Sequence, residues 1–306
     1  MVSEKKLKLK RISIIILTVL LVYTAVSLVV TKLVYDGIFD RYDEQVVVPE
    51  ALSETIEQRQ LHQYPSGDNL LTGYYYPRQD AHGLVVLAPG FHAGADSYLW
   101  QTQDLLERGW AVFSFDPTGS FRSEGTSQVG FSQTVVDLEA TLLYIEKNNN
   151  FGYNDIVLFG HSRGGYAACC MLARENGVSA VVSVSGVNSA MEAVLEMSSD
   201  AVGPLAYCNY GFLWLYQAEL FGKDVLQQQA CEAIDQSQIP VLVVHGTQDD
   251  MDDALVMAHK EQIHSQNVEY LVCQAGHTDL LYDADGTAND DLMEQIHAFM
   301  LRSIER

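Results

Sequence analysis

The chain has 306 residues, 48% hydrophobic and 19% charged, which allows a sizeable core and excludes wholesale disorder. Its formal net charge of −22 repels polyanions and argues against nucleic acid as a partner. Cys169, Cys170, Cys208, Cys231 and Cys273 make no CxxC pair and no metal spacing with histidine, so neither a disulfide framework nor a zinc site is expected.

Residues 1–11 form a basic tail, in which Lys5, Lys6, Lys8, Lys10 and Arg11 are opposed only by Glu4. Residues 12–30 then run without a charge. At a rise of about 1.5 Å per residue this stretch spans roughly 28 Å, close to the hydrocarbon thickness of a bilayer. The expectation is a transmembrane anchor over 12–31. The basic flank outweighs Lys32 and Arg41 beyond it, which keeps the N-terminus cytoplasmic and the rest of the chain extracytoplasmic. A cleaved signal peptide is the rival reading, with Ala25-Val26-Ser27 as a poor cleavage site. The apolar run continues past that site through Leu28, Val29 and Val30, which favours the anchor. Residues 32–60 read as a polar, acidic stalk ending in a helical-looking stretch after Pro49.

Residues 61–306 read as one domain. Short β-rich runs occur at 71–77, 83–90, 111–117, 155–162, 180–186, 240–246 and 268–274, most of them separated by helical periodicity such as that of 131–147. Near-continuous Val, Leu and Ile runs alternating with helices predict an α/β fold, a mostly parallel sheet covered by helices on both faces. Residues 188–238 are too many for a crossover and are rich in Tyr, Leu and Met, which predicts a helical lid.

In open α/β sheets, ligands bind beyond the carboxyl ends of the strands. There the run 155–159 enters Gly160-His161-Ser162-Arg163-Gly164, a G-x-S-x-G turn between a strand and a helix. Such a turn lifts the Ser162 hydroxyl clear of the sheet, and the flanking glycines remove side chains that would clash. A serine hydroxyl needs a histidine base held by an acid, in the chain order Ser, Asp, His. Asp249 follows the strand 240–246 and His277 follows the strand 268–274, which makes them the candidate acid and base. Spacing alone leaves Asp250 open as the acid. Asp252 and Asp253 extend the acidic cluster, but it lacks the spacing and turn glycine of a calcium loop, and no metal is expected. An oxyanion would need two backbone N–H donors, for which Arg163 and Phe91 are the candidates. His92 beside Phe91 is a weaker candidate for touching substrate. In the lid, Phe212 and Trp214 are candidates for an acyl pocket, against the alternative that they simply pack.

From about His62 to Arg306 the chain resembles the α/β-hydrolase superfamily, and within it the serine-aminopeptidase-like and lysophospholipase-like enzymes. Leu87 to Gly94 is similar to their oxyanion loop, with Pro89 in place of the usual histidine. Asp116, Gly119, Ser123 and Gly125 match a further loop, where Phe121 stands in place of a usual glycine. Gly160 to Gly165 matches the nucleophile turn, and Gly246 to Asp249 the acid turn, which favours Asp249 over Asp250. The resemblance implies an α/β-hydrolase fold and cofactor-free hydrolysis of an ester, thioester or amide through an acyl-serine. The aromatic lid beside a lipid anchor favours an apolar acyl ester. A lyase or haloperoxidase on the same scaffold, or a binding module with a vestigial triad, are the rival classes.

Overall fold

The computed structural model describes residues 2–148, 151–174, 177–249, 251 and 263–305. Asp250, Asp252 and Asp253 lie outside them. The chain opens with a long helix, α1 (Val2–Ile38). Among the described residues, Lys6–Ile38 is the helix long and apolar enough to cross a membrane.

The sheet has eight strands: β1 (Gln60–Ser66), β2 (Asn69–Tyr76), β3 (Leu84–Ala88), β4 (Ala111–Asp116), β5 (Ile156–His161), β6 (Val178–Val184), β7 (Val241–Gly246) and β8 (Val268–Cys273). Their spatial order is β1-β2-β4-β3-β5-β6-β7-β8. β2 runs antiparallel to both β1 and β4, and the pairs from β4 through β8 are parallel. The expected mostly parallel α/β sheet is borne out. β1 is an addition to it. Its sequence QLHQYPS is polar and carries Pro65, which an edge strand tolerates because an edge leaves N–H groups unpaired in any case.

A short helix, α2 (Ser53–Glu57), precedes the sheet. On one face lie α3 (Leu99–Glu107) and, at the end of the chain, α11 (Asp290–Ile304). On the other lie α4 (Phe131–Lys147) and α5 (Arg163–Cys170). Between β6 and β7 the chain inserts α6 (Ala190–Val202), α7 (Leu205–Cys208), α8 (Tyr210–Phe221), α9 (Lys223–Leu226) and α10 (Ala230–Gln236). This helical insertion packs on α1. Ser27, Thr31 and Tyr35 recur every fourth residue, so they share one helix face, and all three are buried. Lys32 donates to Asp36 and to the Tyr216 hydroxyl, while the rings of Tyr35 and Tyr216 meet edge-on at 5.2 Å.

Within residues 32–60, read as a stalk, the first part contacts the domain. α1 continues to Ile38, and Phe39 is fully buried in the main core. Tyr42 donates its N–H to Gly119 O and accepts from Phe121 N–H. The Arg41 guanidinium donates to the carbonyls of Phe121, Ser123 and Gly125. Three carbonyls converging on one planar fork of donors fix this stretch on the domain. Exposed chain resumes at Asp43 and reaches 89% exposure at Val47.

Candidate active site

Ser162 stands between β5 and α5 with φ 55° and ψ −120°, a left-handed backbone that costs a non-glycine residue about 1–3 kcal/mol. Its N–H donates to Val184 O. The turn fits only because its neighbours lack side chains: a Cβ on Gly160 would lie 2.2 Å from Gly164 O, and one on Gly164 would lie 2.1 Å from Ala88 O.

The loop after β3 passes beside the serine. A Cβ built on Gly90 would come within 3.4 Å of Ser162 Cβ, which measures how closely this backbone approaches the hydroxyl-bearing carbon. Phe91 follows, and Arg163 is the first residue of α5, where a helix N–H has no carbonyl of its own helix to bond. The Arg163 side chain is buried against the same loop. Its Nε donates to Gly90 O at 3.2 Å and its guanidinium lies 5.4 Å above the Phe91 ring. Burial lowers its pKa to about 10. His92, with φ 54°, is sandwiched between Phe91 at 3.9 Å and Tyr42 at 4.4 Å.

Asp249 and His277 come from successive strand ends. Gly246 lets the two loops touch, since a Cβ there would lie 2.4 Å from Ala275 O. His277 Nδ1 is 2.9 Å from each carboxylate oxygen of Asp249. The Asp249 side chain is fully buried and that of His277 is 20% exposed. Burial works against the Asp249 charge, but the bond to His277 and the Met251 N–H outweigh it and hold the pKa below the usual carboxylate value. A carboxylate accepting at Nδ1 fixes the proton there and leaves Nε2 with its lone pair free to take another.

One set of contacts has no counterpart in the sequence reading. Gly90 N–H donates to the Tyr98 hydroxyl at 2.9 Å, and that hydroxyl is 2.8 Å from His161 Nδ1. His161 Nε2 is 3.1 Å from His277 O. The carbonyl can only accept, so His161 carries its proton on Nε2 and accepts a hydrogen bond from the Tyr98 O–H at Nδ1. Burial, then the neighbouring His277, lowers the His161 pKa to about 4 and keeps it neutral. The Tyr98–His161 pair thus joins the Gly90 loop to the His277 loop, with the two histidine rings 5.3 Å apart.

Asp116, at the end of β4, braces the same region. It accepts from Ala95 N–H, Arg122 N–H and the Tyr74 hydroxyl. Phe121, where the resemblance has glycine, adopts φ 48°, the conformation glycine would take without strain. Its ring lies 5.7 Å from that of Tyr42.

The two aromatic candidates of the insertion make contacts of their own. Phe212 meets Tyr23 of α1 edge-on at 5.9 Å, and Trp214 packs against the main core with Lys223 5.6 Å above its ring.

Residues 79–205 match the sequence profile of the serine aminopeptidase S33 family. A search of curated proteins finds no matching sequence. Among solved structures, the chain is similar to an esterase from Pyrococcus furiosus, with TM-score 0.64 and 18% identity over 87% of this chain and 98% of the other. A protein from Butyrivibrio proteoclasticus with ferulic acid bound gives TM-score 0.58 and 17% identity, covering 80% of this chain and all (100%) of the other. A proline iminopeptidase from Mycobacterium smegmatis gives TM-score 0.56 and 14% identity, covering 80% and 99%. At such identities the likeness establishes the fold.

Proposed function

We propose that this chain, which has an α/β-hydrolase fold and matches the serine aminopeptidase S33 profile over residues 79–205, is a serine hydrolase that cleaves a carboxylic ester through an acyl-serine intermediate. The observation that carries this reading is the His277 ring seated on both oxygens of a buried Asp249, in a loop tied through His161 to the serine turn.

In this reading His277 Nε2 takes the Ser162 proton as Oγ attacks the acyl carbon. The carbonyl oxygen becomes an oxyanion facing the N–H groups of Phe91 and Arg163. Collapse expels the alcohol, which receives the proton from His277. Water then attacks the acyl-serine with His277 again as base, releasing the acid and restoring Ser162. Asp249 holds the tautomer and stabilises the imidazolium. No cofactor enters these steps. Esters are favoured over peptides by the apolar character of the insertion and by α1, which we read as a single membrane span with the N-terminus cytoplasmic and the catalytic domain outside. The test is labelling with a fluorophosphonate, which reports an activated serine whatever the substrate. Labelling of the wild type but not of Ser162→Ala is expected, and labelling that survives the substitution rejects Ser162.

A further inference from the structure

An apolar cavity of about 250 Å³ lies between α1 and the insertion. One wall is Tyr23, Ser27 and Val34 of α1, and the other is Val202, Ala206 and Leu213. We propose that this cavity binds the acyl chain of a bilayer lipid and is the acyl subsite of the serine hydrolase, so that substrate enters sideways from the membrane. The proposal rests on the membrane and hydrolase readings above.

The depth of the cavity identifies its occupant. The part of its α1 wall inside the apolar run, Tyr23 to Thr31, is eight helical steps, about 12 Å at 1.5 Å per residue, or most of the depth of one leaflet of a bilayer whose hydrocarbon is about 30 Å thick. These are the last turns of the apolar run, and Lys32 and Asp36, both largely exposed, mark where it meets water. An opening at that level is bathed by lipid tails, and its lining offers water few partners. Ser27 and Thr31 make the space: they are the small residues on the face α1 turns toward the insertion. The insertion also carries exposed apolar side chains at the same end, Leu205 at 64% and Tyr207 at 60%, which suits contact with the bilayer surface.

From the lower end of the cavity a row of rings leads to the catalytic loops. Tyr35 follows Val34 and packs on Phe39 at 4.7 Å, and Phe39 packs on Phe91 at 5.5 Å. A chain held between α1 and the insertion therefore lies at the head of an apolar row ending at one of the two proposed oxyanion residues.

Two measurements test the site on the full-length chain in phosphatidylcholine vesicles. In the first, a trace phosphatidylcholine with a diazirine at the end of one acyl chain is photolysed against Ser162→Ala. Crosslinks on residues 198–213 as well as on α1 are expected, whereas crosslinks on α1 alone overturn the site. In the second, Ser27→Leu fills the cavity, and Val29→Leu on the exposed face of α1 is the control. Ser27→Leu should lower the ratio of kcat/KM for a C12 ester to that for a C4 ester by about tenfold or more, and the control should leave the ratio unchanged. An equal loss at both lengths would count against the subsite. Hydrolysis that persists in Ser162→Ala while residues 198–213 still label would sink the serine assignment and uphold the lipid site, so the two readings fail separately.

Discussion

The ring of Phe39, at the end of the N-terminal helix, meets the ring of Phe91 edge-on with centroids 5.5 Å apart. The N-terminal helix and the loop beside Ser162 are therefore one packed unit. Phe39 is fully buried, and truncating a buried phenylalanine to alanine costs about 3–5 kcal/mol. Phe39→Ala should lower the thermal midpoint and also reduce kcat at temperatures well below it, because the loop loses its support. A variant with the lower midpoint but unchanged kcat would show that the contact serves stability alone.

Asp249→Asn should reduce kcat by about 10⁴, the scale expected when a triad acid becomes an amide and the imidazole tautomer is lost. Asp250→Asn should cost far less. The measurement is steady-state hydrolysis of a p-nitrophenyl ester by both variants, and a larger loss at position 250 would reassign the acid.

Tyr98→Phe removes the hydroxyl that Gly90 N–H and His161 share. It leaves a buried N–H unpaired, worth about 1–3 kcal/mol, and frees the loop that carries Phe91. A fall in kcat of about tenfold or more with KM unchanged is expected. A rise in KM alone would place Tyr98 in substrate binding instead.

His161 supplies a pH dependence whose sign can be fixed. Its folded pKa is about 4, below its ordinary value near 6.5. The unfolded chain therefore binds the proton first. The stability His161 contributes is fully present above about pH 6.5 and is lost as pH falls from there through 4. Urea unfolding of the wild type and of His161→Asn between about pH 7 and pH 4 should show the steeper loss in the wild type, and parallel curves would remove His161 from the account.

The sheet was legible because its parallel strands are nearly unbroken hydrophobic runs, as in LVVLA of β3 and the fully buried VLFGH at the end of β5. The polar strand β1 gave no such signal. Chain order placed Asp249 and His277 at successive strand ends, and the structure has them in contact. Tyr98 could not be found this way, because it stands 63 residues before His161 and nothing local marks either as the other's partner. The packing of Phe39, Arg41 and Tyr42 was hidden for a related reason. Their sequence is polar and mixed, and their partners are backbone carbonyls and loop rings that only the folded chain brings together.

The docking of residues 39–42 also decides what a protease could accomplish. The accessible place to cut is around Val47, beyond the last of these contacts. A nick there would divide the chain into a piece carrying α1 and a piece carrying Ser162 that is still gripped by Arg41, Tyr42 and the buried Phe39. Severing the backbone would not by itself separate the two pieces. The two pieces would part only when detergent or denaturant breaks that grip, and with it the packing of Phe39 on Phe91.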